Sequence, residues 1–205
     1  MQAESNEKPS RTDSQFEQAL AVCRQVFAPK LQDYGASWRI MRPQTVTDQL
    51  FIKAKRIRTI ETTGENHVGD GVRGEFIALV NYGLVGIIQL SLPCADRIDI
   101  TPDEALALYD EHVAETFALM KRKNHDYGEA WRDMRVSSYT DLILTKIERI
   151  KEIEDHCGET LVSEGIASNY MDIINYALFG IIRIDEQANQ AQARENNNPK
   201  LEARQ

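Results

Sequence analysis

The stretch D-Y-G-A-S-W-R-I-M-R at residues 33–42 returns 93 residues later as D-Y-G-E-A-W-R-D-M-R at residues 126–135. The match carries both tryptophans of the chain, Trp38 and Trp131, and identifies an internal duplication. The register holds without a gap through Thr47-Asp48 and Thr140-Asp141. It continues through K-A-K-R-I-R-T-I-E (53–61) and K-I-E-R-I-K-E-I-E (146–154). After one inserted residue, N-Y-G-L-V-G-I-I (81–88) aligns with N-Y-A-L-F-G-I-I (175–182). The copies cover roughly residues 16–90 and 109–184.

Each copy reads as three helices. The first runs over about 14–32 in one copy and 102–124 in the other, where Thr101-Pro102-Asp103-Glu104 supplies a capping box and a proline at the first helical position. Gly35 and Gly128 suit the left-handed residue that ends such a helix. Thr47 and Thr140 read as N-caps of second helices ending at Glu61 and Glu154. Third helices cover about 70–90 and 163–185. The expected fold is all-α, a tandem duplication of a three-helix unit closing into a pseudo-two-fold bundle. Its parts are a disordered tail (1–12), a first repeat (13–92), a linker (93–101), a second repeat (102–189) and a Gln/Asn/Ala-rich tail (190–205).

Composition narrows the function. With 42% hydrophobic and 27% charged residues the chain is an ordinary globular protein, and a net charge of −8 argues against a nucleic-acid polymer as partner while leaving a single nucleotide open. Cys23, Cys94 and Cys157 are odd in number and fit no metal-ligand spacing, so they read as reduced thiols of a cytoplasmic protein. The N-terminal residues, with Glu4, Glu7 and Lys8 and no apolar core, are not expected to act as a signal peptide. Residues 76–94 are apolar enough to suggest a membrane span, yet the matching stretch of the second copy carries Asp172 and Arg183; a buried helix is expected and no membrane association.

The inward stripe of the second helix is Ile143, Ile147 and Ile150, and at 3.6 residues per turn Glu154 falls on it, with Lys146 and Arg149 at its edge. The first copy repeats this with Leu50, Ala54, Ile57, Glu61, Lys53 and Arg56. On the third helix Glu164, Ser168, Asp172, Asn175 and Tyr176 form one polar stripe; the first copy keeps Asp70, Asn81 and Tyr82 but has Ala78 where Asp172 stands, with Glu75 one turn earlier. Glu154, Glu164 and Asp172, and in the first copy Glu61, Asp70 and Glu75, are therefore candidate oxygen ligands for Mg²⁺, which prefers carboxylates and water. Lys123, Asp126, Tyr127 and Trp131, with Lys30, Asp33, Tyr34 and Trp38, surround the glycine turns and are candidates for stacking on and hydrogen-bonding a base. Buried ion pairs, a helix–helix hydrogen-bond seam and core tryptophans would explain the same residues without a ligand.

The set K-N-x-D-Y-G, K-x-x-R and D-x-x-N-Y-A resembles the nucleotide modification associated domain family, twice, over nearly the whole chain. That family in turn resembles the all-α nucleoside triphosphate pyrophosphohydrolases of the MazG type. The resemblance implies a Mg²⁺-dependent cleavage of (deoxy)nucleoside triphosphates, modified ones included. Glu154, Glu164 and Asp172 would be catalytic and metal-binding, and Lys146, Arg149 and Asn175 would bind substrate, as would Lys53, Arg56 and Asn81 in the first copy. The second helix has Lys146 and Glu148 where MazG proteins carry an E-E-x-x-E run, and Ala78 removes an acid from the first copy. A nucleotide-binding module without turnover and a purely structural helical protein are the other two readings, and a homodimer is compatible with each.

Overall fold

The computed structural model describes residues 10–69, 71–156 and 165–197. Among them the chain forms six α-helices and no strand: α1 (Arg11–Tyr34), α2 (Pro43–Thr63), α3 (Val72–Ser91), α4 (Pro102–Tyr127), α5 (Val136–Asp155) and α6 (Ile166–Asn197). Short 3₁₀ turns, Ser37–Ile40 and Ala130–Asp133, precede α2 and α5. Helices α1 to α3 are the first copy and α4 to α6 the second, so the three-helix unit occurs twice, as the repeat requires.

Local chemistry explains most boundaries. Ser10 and Thr101 each accept a hydrogen bond from the backbone three residues on, while Asp13 and Glu104 reach back to the cap, so both first helices start with reciprocal capping boxes. Gly35 and Gly128 end them at φ of 66° and 60°, a backbone region that a side chain would strain. The second helices differ from expectation. They begin at Pro43 and Val136, four residues before Thr47 and Thr140, with proline supplying the preset φ at the first turn of α2. The threonines are thereby moved inside their helices, where they are buried. At the other end, α6 continues past the expected boundary at 189 through exposed Ala, Gln, Glu and Arg, residues of high helix propensity.

Helices α3 and α6 make the largest contact and form the centre; α2 packs on α3 as α5 packs on α6, and α2 meets α5. Every such pairing has its counterpart when the two copies are exchanged. The central approach is close because α3 carries glycine where α6 presents bulk. A Cβ added at Gly83 would stand 2.7 Å from Ile174, and one at Gly86 would stand 2.8 Å from the Tyr170 ring. Helix α3 is long and apolar enough to cross a membrane, and 67% of its most apolar window is buried inside the bundle, where it serves as the core helix. Cys23 is buried and Cys94 exposed, both unpaired; Cys157 lies outside the described residues.

Candidate functional site

Among the described residues a cleft opens between the helices of each copy, and the two clefts are unequal. The second-copy cleft is about 1200 Å³ and is walled by the end of α4, the 3₁₀ turn, one face of α5 and α6. The first-copy cleft, in the corresponding place, is about 490 Å³.

In the larger cleft the fixed point is Asp172, 4% exposed, on α6. Its Oδ2 receives Lys146 of α5 at 2.7 Å and its Oδ1 receives Lys123 of α4. Three helices thus converge on one carboxylate, and the pair of ammonium groups makes its burial tolerable. Arg149, exposed and one turn beyond Lys146, lines the same wall, as do the exposed Glu148 and Glu152. Aromatic side chains line the cleft as well. Trp131 is buried, stacks on Phe179 with ring centroids 4.4 Å apart and donates from Nε1 to Asn124 Oδ1 at 3.2 Å. Tyr176 lines the cleft half-buried, its phenol pushed up by burial and by the neighbouring Asp172 against the opposing pull of Lys123 and Arg149. Tyr127, 76% exposed, stands at the mouth.

In the smaller cleft the acid has moved by one helical turn. Glu75 takes the place of Asp172, held by Lys53 at 3.3 Å and by Arg56. The sequence position that matches Asp172 is Ala78, and the one that matches Glu75 is Asn169. Lys53 and Lys146 are equivalent, so the same lysine meets an acid from a different turn in each copy. Lys30, Tyr34, Trp38, Asn81 and Tyr82 line this cleft, while Arg56 turns to Glu75, Asn66 and the Val68 carbonyl.

The structure separates other residues that the sequence grouped with these. Glu154 accepts from Thr47 Oγ1 at 2.8 Å, and Glu61 accepts from Thr140 Oγ1 at 3.0 Å. Each glutamate thus reaches into the other copy across the α2–α5 contact, and neither lines a cleft. Thr47 also shares a 2.8 Å hydrogen bond with the Tyr170 hydroxyl. Burial holds the carboxyls of Glu154 and Glu61 above the usual carboxylate range, against the lowering effect of their threonine donors. Asp126 and Asp33 are exposed and join neither cleft. Glu164 and Asp70 lie outside the described residues.

The arginine that follows each tryptophan of the repeat proves to be an anchor. Arg39 is fully buried, bonded to Asp99 at 2.7 and 3.0 Å, to the Pro93 carbonyl and to Gln89. Arg132 lies over the Trp131 ring and ties Thr12, Gln15, Glu129 and Glu186 together. Sequence reasoning left out Asn124, Glu148, Glu152 and Phe179 as cleft residues; Asn124 stood inside the K-N-x-D-Y-G motif and was the one with a signal.

The two copies with their clefts coincide with a known domain. The model of nucleotide modification associated domain 1 matches residues 30–90 and again 123–184. The chain belongs to that family. Each match starts at the lysine that opens the cleft, Lys30 or Lys123, and takes in the 3₁₀ turn and the second and third helices of its copy. No curated protein and no solved structure matches the chain.

Whether the described acids suit a divalent ion is a question of convergence. Among the described residues no three His, Cys, Asp or Glu side chains come together as a metal-binding group, and both oxygens of Asp172 are already taken by lysines. Of the three acids expected to hold the ion in the second copy, Glu154 stands at the α2–α5 contact, Asp172 is held by lysines and Glu164 lies outside the described residues; what the described residues of the cleft offer is cations that suit an anion.

Proposed function

We propose that the chain is a nucleotide-binding protein whose second-copy cleft takes a nucleoside phosphate. The observation that carries this is the coexistence, in one cleft of about 1200 Å³, of the cations Lys123, Lys146 and Arg149 with the aromatic side chains of Trp131, Tyr127, Tyr176 and Phe179. Ammonium and guanidinium groups suit phosphate oxygens, and aromatic faces suit a base. A cleft of this size exceeds what most small ligands need and holds a nucleotide with room for water. The name of the family, which associates the domain with nucleotide modification, agrees with this reading. The partner is a small molecule.

The test is thermal shift and calorimetric titration with dNTPs, dNMPs and inorganic phosphate. A melting temperature that rises with nucleotide concentration according to mass action supports the reading. Lys146→Ala and Arg149→Ala should each weaken nucleotide binding by about tenfold, the cost of one charge-assisted contact. No stabilisation by any nucleotide would sink it.

A hydrolytic extension, Mg²⁺-assisted release of pyrophosphate from a nucleoside triphosphate, would have to draw on Asp172, Glu148 and Glu152, acids that line the same cleft without converging into a metal-binding group. It predicts pyrophosphate in a Mg²⁺-containing assay with pure protein. Binding without pyrophosphate leaves the binding module alone standing.

A further inference from the structure

The equivalent asparagines of the two third helices, Asn81 and Asn175, stand in corresponding places with opposite fates. Asn81 is fully used: its Nδ2 donates to the Cys23 carbonyl at 3.1 Å, and its Oδ1 accepts from the Tyr109 hydroxyl at 2.9 Å. Exchange of the copies puts Phe16 where Tyr109 stands and Thr116 where Cys23 stands. Phe16 has no hydroxyl to offer and instead packs between Phe117 and Phe179. The Asn175 Oδ1 thus lacks the hydroxyl donor that Asn81 has, and its Nδ2 is unpartnered as well, although the residue is only 4% exposed.

A buried carboxamide with neither bond made is costly, and an apolar residue of similar size would relieve that cost. Asn175 lies in the wall of the larger cleft beside Asp172 and Tyr176, three residues from the lysine-held acid. It presents one donor and one acceptor side by side. That pair matches the edge of a nucleobase, where a donor and an acceptor are adjacent, and asparagine forms such paired bonds with bases elsewhere.

We propose that Asn175 is the base-reading residue of the second-copy cleft, and that the first-copy cleft has no such reader because Asn81 is tied to Tyr109 and Cys23. This rests on the nucleotide reading above and adds where the base goes: against α6 at Asn175, with its phosphates toward Lys146 and Arg149. The amide atoms are closed off from water in the wall, so reading requires a side-chain rotation there, a common accompaniment of binding.

The experiment is calorimetric titration of the full chain with the four dNTPs as non-hydrolysable α,β-imido analogues, each with Mg²⁺, and with inorganic tripolyphosphate as the probe that has no base. The unaltered protein should bind at least one analogue about tenfold or more tightly than tripolyphosphate, with one site per chain, since a site built to hydrogen-bond its ligand penalises the one that lacks the group. Asn175→Leu should erase that difference, leave tripolyphosphate affinity unchanged and melt no lower than the unaltered protein without ligand. Asn81→Leu, which breaks two bonds, should melt lower. Asn175→Asp, which keeps shape and offers only acceptors, should shift base preference toward guanine, whose N1–H and N2–H donors are adjacent.

Unchanged analogue affinity in Asn175→Leu, or an unshifted base ranking in Asn175→Asp, overturns the assignment of Asn175 and leaves nucleotide binding intact. Equal binding of analogues and tripolyphosphate by the unaltered protein also overturns it. Failure of the unaltered protein to bind any of the probes removes the nucleotide reading and this inference together.

Discussion

Asp172 illustrates how one residue separates two chemistries. Its carboxylate occupies the ammonium groups of Lys123 and Lys146, so in a binding protein it competes with ligand phosphate for them. Asp172→Asn should then strengthen, or leave unchanged, the binding of tripolyphosphate measured by calorimetry. In a metal-assisted hydrolase the same change should abolish pyrophosphate release. Glu154 gives a pH test. Its folded carboxyl is raised above the ordinary value of about 4.5, chiefly by burial, with Asp48 and Asp155 adding to the effect. A raised acid contributes stability that is complete below its unfolded pKa and is lost as pH rises through the folded one. Glu154→Gln keeps an oxygen for Thr47 and removes the charge, so its melting temperature should exceed that of the unaltered protein at pH 8, and the gain should vanish below about pH 4.5. A lower melting temperature at pH 8 would show that the ionised carboxylate is the stabilising form. Neither environment was legible in the sequence. The helical wheel placed Glu154 and Asp172 on inward faces correctly, yet a wheel names a face and not the helix opposite it.

At the scale of elements, sequence pattern gave three helices per copy because the apolar spacing of 3.6 residues and the capping boxes are local signals. The starts of α2 and α5 escaped because threonine is a good cap by type, while here Thr47 and Thr140 are claimed by long-range partners, Glu154 and Glu61. The α3–α6 contact depends on the missing side chains of glycine. Gly86→Ala would press a methyl group 2.8 Å from the Tyr170 ring, whose hydroxyl is held by Thr47, so the ring has little freedom to withdraw. Overpacking of this kind costs about 1–3 kcal/mol. Gly165→Ala, with no atom of the described residues within 4 Å of the added carbon, is the control and should change stability by no more than about 0.5 kcal/mol. Chemical denaturation of the two variants checks both figures.

For the whole molecule, the copies are two repeats in sequence and one body in packing. Helices α3 and α6 bury each other, and α2 meets α5, so each copy alone would expose the apolar face that its partner covers. Fragments 1–97 and 98–205 should each lack a cooperative melting transition by circular dichroism and regain it on co-expression. A cooperative transition in either fragment by itself would show that the copies are independent domains. The duplication was the most legible feature of the sequence; the inequality of the clefts was visible only in part, as Ala78 against Asp172, because the missing donor to the Asn175 oxygen traces to Phe16, a residue remote in sequence from it.

The contrast between Phe16 and Tyr109 has a consequence for how such a protein changes over time. In an assembly of two identical chains, any substitution strikes both clefts at once, so one cannot be altered while the other is preserved. Joining the copies in one polypeptide lifts that constraint. On the proposed reading, a tyrosine in one half and a phenylalanine in the other would let one half specialise in stability and the other in recognition, a division of labour closed to a symmetric pair.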